Sequence, residues 1–249
     1  MRSLLPEMVL ETLAADLACA VGDLLTRRTT VKVFRAMPGR RRFPLCDVML
    51  QALTVGEGAV ICVDAGREGW ARETLAPLAP DAVFAQPGMS AIYQRLATDG
   101  VEAIGPSPSY LCNLATLRAA PRPAEFRMEL LTGRAIESLY RHEGLQMALS
   151  YYTEGERPDT IASVAWCGEE LAGVAACSAD SEQMWQVGVD VRPQWRGRGV
   201  GRWLVYQVTG AILDGGRIPY YAAGLHNLAS QRIAAAVGYS PAWTSVWSR

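Results

Sequence analysis

The chain is almost without lysine: Lys32 is the only one, and arginine carries nearly all of the positive charge. Acidic and basic side chains almost cancel, 25 against 24, for a net charge of −1. No basic surplus is on offer to a nucleic acid or another polyanion, so none is expected as a partner. Histidine is scarce too, with two residues. The six cysteines, Cys19, Cys46, Cys62, Cys112, Cys167 and Cys177, form no C-x-x-C pair. Zinc-type spacing is missing, and no metal site is expected. Cysteines scattered through apolar runs read instead as buried free thiols of a reducing compartment. No apolar stretch approaches the roughly 18 residues that span a membrane as a helix. Met1-Arg2-Ser3 leads into a short apolar run that Pro6 and Glu7 interrupt, unlike a secretory signal. These absences point to the cytoplasm and away from a membrane.

What remains is a chain of 249 residues, half of them hydrophobic, enough for one large domain or two smaller ones. The front half alternates helix and strand signals. Met8, Leu10, Leu13, Leu17, Val21, Leu24 and Leu25 fall near helical spacing, which predicts one amphipathic helix from Pro6 to about Thr26. Val31–Phe34 reads as a strand and Pro38–Arg42 as a loop, whose arginines could grip a phosphate or be solvated. A short helix is expected over Cys46–Val55, a buried strand over Ala59–Val63, and helices over Arg67–Leu78 and Ser90–Thr98. Val101–Ile104 is a further strand. Gly105-Pro106-Ser107-Pro108 and Pro121-Arg122-Pro123 punctuate the middle, and the domain boundary is placed at the second cluster. The expected architecture is therefore α/β: a smaller α/β domain at 1–122, then a second domain with a mixed sheet at 123–249.

In the second half, Glu125–Leu131 reads as a strand and Gly133–His142 as a helix, extendable over Gln146–Tyr152. Thr160–Trp166 and Leu171–Cys177 form a hairpin about Gly168. A strand over Met184–Val191, a helix over Val200–Leu213, a strand over Ile218–Ala222, a helix over Asn227–Val237 ended by Gly238, and a strand over Ala242–Trp247 complete it.

Between the Met184–Val191 strand and the helix that follows stands Arg196-Gly197-Arg198-Gly199-Val200-Gly201. Strand, glycine turn and helix make an anion site, because the first N–H groups of a helix lack acceptors and carry partial positive charge. Glycine lets a phosphate approach those groups, and Arg196 and Arg198 add charged forks. The turn is not a P-loop, since no G-K-[ST] closes it, and it lacks the glycine spacing of a dinucleotide fold.

The wider run, Val189-Asp190-Val191-Arg192-Pro193-Gln194-Trp195 followed by R-G-R-G-V-G, resembles the glycine motif of the GCN5-related N-acetyltransferases. His226-Asn227-Leu228-Ala229-Ser230, followed by Ala236-Val237-Gly238-Tyr239, resembles that superfamily's second motif at the expected separation. Ile218-Pro219-Tyr220-Tyr221 through Ser230 is also similar to a bacterial subgroup with an extra N-terminal domain. The resemblance covers about 125–249 and implies the order β-α-β-β-β-α-β-α-β with splayed central strands.

It further implies acetyl-CoA, or a longer acyl-CoA, as donor to the amine of a small molecule or peptide. The pantetheine arm would lie along the edge Val187–Val191, and the pyrophosphate on the N–H groups of Arg198–Gly201. An N–H near Val189 would polarise the thioester carbonyl. The cofactor set is Val189, Val191, Arg196, Gly197, Arg198, Gly199, Val200, Gly201, Asn227 and Ser230. Asn227 and Ser230 could equally be plain helix caps.

Two departures stand out. The family tyrosine that protonates the leaving thiolate falls here on Ala234. The family's glutamate base has no obvious counterpart, with Trp185 about at its position, so Val189, Asp190 and Glu182 are carried as catalytic candidates, with Tyr206 and His226 behind them. A non-catalytic acyl-CoA sensor, and an interaction protein whose front domain binds a partner or forms a homodimer, stay open beside the enzyme.

Overall fold

The computed structural model describes residues 5–42 and 48–248. By contacts the chain forms two units, one reaching to Ser109 and resuming at Ala242, the other running from Tyr110 to Pro241. The proline cluster at 121–123 falls inside the second unit.

In the first unit, α1 spans Glu7–Asp16 and α2 spans Val21–Leu25, where the periodicity predicted one helix. The chain breaks between them at Ala18, which takes φ 49°. Asp23 restarts the helix by accepting the Ala20 N–H at 2.9 Å. Strand β1 is Thr29–Val33, β2 Leu50–Thr54 and β3 Ala59–Val63. β3 pairs in parallel with β1 and antiparallel with β2. The helix expected over Cys46–Val55 is thus a strand in its described part. Cys46 itself lies outside the described residues, as do Met1-Arg2-Ser3. Leu50, Ala52 and Leu53 are fully buried, which a strand covered on both faces permits. α3 is Glu68–Thr74, α4 Pro80–Val83 and α5 Gln86–Thr98, and residues of α3, α4 and α5 pack on β3 through Ala71, Val83, Ile92 and Leu96.

β4 runs Ala103–Leu111, so Gly105–Pro108 lies within a strand where punctuation was expected. Proline's fixed φ suits extended chain. The last strand, β10, spans Ser240–Ser248 and pairs antiparallel with β2.

The Pro38–Arg42 loop is neither a phosphate grip nor a solvated run at its centre. Arg41 is 5% exposed. Its N–H and Nε both bind the Asp16 carboxylate at 2.7 Å, and its guanidinium stacks on Trp243.

The second unit is built on a mixed sheet. β5 (Arg127–Thr132), β6 (Asp159–Cys167), β7 (Glu170–Ala179) and β8 (Met184–Val191) follow as an antiparallel meander. α6 (Val200–Asp214) then crosses to β9 (Ile218–Ala222), which pairs in parallel with β8. α7 is Leu228–Val237. One face of the sheet packs on α6 and α7 through Val187, Leu204, Val205, Val208, Ile212 and Val237. The opposite face is covered by a segment predicted as helical but consisting of a 3-10 stretch, Gly133–Leu139, and then turns. Ile136, Leu139, Leu145, Ala148 and Leu149 bury against Val164, Val174 and Ala176 there.

The described cysteines are all free, and Cys62, Cys112 and Cys177 are buried. Burial pushes the Cys19 and Cys62 thiols up to about 12, which leaves them protonated and inert. Among the described residues no helix is long and apolar enough to cross a membrane.

Candidate active site

β8 and β9 share four rungs, Met184↔Ile218 to Val187↔Tyr221, and then part. β8 continues for four more residues, Gly188–Val191, with β7 on one side and, among the described residues, no strand on the other. Pairing parity tells which groups face that open edge. Arg192 N–H donates to Ala172 O at 2.9 Å, so the even-numbered residues of β8 bond to β7. The odd-numbered ones face β9, as Ile218 N–H donating to Gln183 O at 2.8 Å confirms. Past the last rung, the N–H and C=O of Val189 and the N–H of Val191 therefore point into the gap without a strand partner. The Val191 carbonyl is met by Arg196 Nε at 3.0 Å. The side chains of Val189 and Val191 pack back against the α6 core.

The chain then turns through Pro193–Trp195 into the glycine loop. Gly199 caps α6 with φ 80°, a left-handed conformation that side chains resist. A Cβ on Gly199 would meet only Pro123 Cγ, at 3.9 Å, and one on Gly197 would meet nothing. The first bond of the helix runs from Trp203 N–H to Gly199 O, so the N–H groups of Val200, Gly201 and Arg202 have no intrahelical acceptor. The Val200 side chain is core, leaving only its backbone for a ligand. Gly201 serves packing: a Cβ there would stand 3.0 Å from Ile233 Cδ1 and 3.3 Å from Val191 Cγ2. Arg198 lies over the Trp195 ring at 5.0 Å and touches Glu125 at 3.3 Å, both side chains about half exposed. Trp195 meets Phe126 edge-on at 5.7 Å. Nearby, Trp195 Nε1 and Arg202 Nε are buried donors without an acceptor. Open space over the loop, free helix N–H groups and unmet donors together fit an anionic phosphate group.

The even face of β8 holds the other half. A Cβ on Gly188 would fall 1.8 Å from Met147 O, so only glycine lets the 145–149 segment cross the strand here. Asp190 Oδ2 accepts the N–H groups of Met147 at 2.8 Å and Ala148 at 2.9 Å. Burial raises the Asp190 pKa, against the pull of those two bonds and of Arg192 and Arg196. The carboxylate thus clamps a loop, with its other oxygen left for further contact.

Of the remaining candidates, Asn227 accepts the Ser230 N–H at 3.2 Å as cap of α7. Glu182 is exposed in the turn before β8, at the opposite end of that strand from Val191, and is not brought to the gap. His226 is exposed in the loop beyond β9, and Tyr206 leans on Trp203. Ala234 is fully buried. The sequence reading gave no role to Tyr221, which ends the last β8–β9 rung and stands edge-on to Tyr239 at 5.7 Å. Its place at the close of a predicted strand was the available signal.

Residues 128–239 match the sequence model of the acetyltransferase (GNAT) family. A GCN5-related N-acetyltransferase from Kribbella flavida is 16% identical, over 96% of this chain and 93% of that one, with a TM-score of 0.51. At such identity that likeness is one of fold. A GCN5-related N-acetyltransferase-like protein from Streptococcus suis is 20% identical, over 66% of this chain and 68% of that one, with a TM-score of 0.48. No curated protein matches the chain.

Proposed function

We propose that this protein is an N-acyltransferase that passes an acetyl or longer acyl group from its CoA thioester to the amine of a small molecule or peptide. The observation that carries the reading is the unpaired edge Gly188–Val191 running straight into a left-handed Gly199 and three free helix N–H groups. Acetyl-CoA, when bound, supplies an activated acyl group and a good leaving thiolate. The chain's own part is to hold and orient it. Val189 and Val191 offer strand-type hydrogen bonds to a pantetheine amide. The N–H groups from Val200 to Arg202 offer a phosphate site, with Arg196 and Arg198 on its rim. Val189 N–H is the donor suited to an oxygen gaining negative charge. The segment held by Asp190 borders the gap on its acceptor side.

A buried alanine at position 234, where the family tyrosine would stand, favours a second reading as a non-catalytic acyl-CoA sensor. Thiol release from acetyl-CoA with a panel of amines separates the two. Turnover with any amine supports the enzyme. Binding of CoA by calorimetry with no turnover across the panel supports the sensor, and no binding at all removes both.

A further inference from the structure

Arg192 carries the β8 ladder one residue past Val191, its N–H donating to Ala172 O, so its side chain falls on the same face as that of Asp190. The 144–148 segment meets both residues on that face. A Cβ on Gly144 would stand 2.9 Å from Arg192 Nη1, while Met147 and Ala148 give their N–H groups to Asp190 Oδ2. Gly144, left-handed at φ 74°, thus lets the guanidinium lie against bare backbone. Among the described residues the Arg192 side chain has no hydrogen bond or ion pair, and Asp190 Oδ1 accepts no hydrogen bond. Both residues are partly exposed. Two opposite charges, about 6–7 Å apart between Cα atoms on one strand face, therefore do not pair with each other, and each keeps free bonding capacity. Asp190 adjoins Val189, whose N–H faces the gap.

We propose, on the acyltransferase reading above, that the acceptor is an amine that also carries a carboxylate, as a free α-amino acid does, with Arg192 holding the carboxylate and Asp190 Oδ1 the amino group. The guanidinium fork matches a carboxylate with two parallel N–H···O bonds. Asp190 Oδ1 accepts from the amino group and sets it one residue from Val189. The amino group and carboxylate of an α-amino acid are neighbours, and a hydrogen bond of about 2.8 Å at each end lets such a molecule bridge the two side chains. Selectivity follows from the same geometry. A site built to bond a polar group rejects the analogue that lacks it, because the site's own groups are then left unpaired. An amine without a carboxylate would leave the Arg192 guanidinium in that state.

The test compares matched acceptors: each common amino acid beside its carboxamide, which keeps the amine and the side chain and lacks the negative charge. Thiol release from acetyl-CoA on the full chain gives kcat/KM for every pair. At least one amino acid should exceed its amide by about 10- to 100-fold, the worth of one charge-assisted pair. Arg192→Ala should bring that ratio close to one, mainly by raising KM for the acid. Arg192→Lys, which keeps the charge without the fork, should restore part of it. CoA affinity by calorimetry shows that each variant is folded and binds the donor. An Arg192 that only supports the fold would lower acid and amide alike, and that result overturns the inference. So does a wild type whose turnover is equal for acid and amide or confined to amines without a carboxylate. No turnover with these pairs or with the wider amine panel, while CoA binds, removes the acyltransferase reading itself and this inference with it.

Discussion

Replacing Gly199 by valine separates backbone strain from loss of the phosphate site. At φ 80° a side chain costs about 1–2 kcal/mol wherever it occurs. Here the new Cβ clashes with nothing, since Pro123 Cγ at 3.9 Å is ordinary contact. The fold should survive with a melting temperature lowered by about 2–8 °C, taking roughly 2–4 °C per kcal/mol for a chain of this size. Gly216→Val is the matched control. Gly216 is also left-handed, with φ 69°. It has open space around it and sits just past the far end of α6, away from the loop. Both variants should melt earlier by similar amounts. Only Gly199→Val should lose CoA, because its Cβ occupies the space over the N–H groups of Val200, Gly201 and Arg202. Losing even one hydrogen bond to a charged phosphate corresponds to about a tenfold or greater rise in Kd. Arg198→Ala should cost less, under about fivefold, because its half-exposed side chain is screened and already engaged with Glu125. Calorimetry with CoA gives all the numbers. Equal CoA affinities in Gly199→Val and Gly216→Val would show that the loop does not hold the cofactor.

Three further perturbations probe the scaffold. Leu204→Ala empties a fully buried site at the centre of the α6 core and should cost about 2–5 kcal/mol in urea unfolding, whereas a negligible change would contradict its burial. Asp16→Ala removes the acid from a buried ion pair with Arg41 and should cost about 3–5 kcal/mol; a small effect would mean the pair adds little to the first unit. Asp190 is raised in the folded state above its ordinary 3.8, so folding takes up a proton there. Its contribution is then fullest below pH 3.8 and is lost as pH rises through the raised value. Wild-type stability relative to Asp190→Asn should therefore improve on acidification from pH 7 toward pH 4, and a constant difference across that range would refute the shift.

The elements that could be read from the chain are those whose signal is local. The strand Met184–Val191 and the helix from Val200 fall where alternation and helical spacing put them, because each buries one face against the other. The segment from Gly133 to Tyr152 misled for the opposite reason. Its apolar residues Ile136, Leu139 and Tyr140 mimic helical spacing, yet a distant acid decides its path. Asp159, 1% exposed, accepts Tyr140 Oη at 3.0 Å, the N–H groups of Ser150 and Tyr151 at 2.9 Å, and Ser150 Oγ at 2.7 Å. A buried carboxylate must be satisfied, and folding the chain around it outweighs the modest preference of a short helix.

The site divides along the same line. The glycine loop was legible because its chemistry is written in consecutive residues. The open edge was named only through the family resemblance and not from the residues themselves, because which backbone groups face it depends on pairing. Had β7 and β8 slipped by one residue, the even-numbered N–H groups would line the gap, and Asp190 would turn into the α6 core. Two contacts hold the register against that slip. Gly188 admits Met147 at a distance no other residue allows, and Asp190 then takes the N–H groups of Met147 and Ala148. Asp190 thus does for β8 what the strand's own alternation cannot: it ties the even face to a loop, and so commits Val189 and Val191 to the gap. That places its importance in aligning the edge that would bind the cofactor.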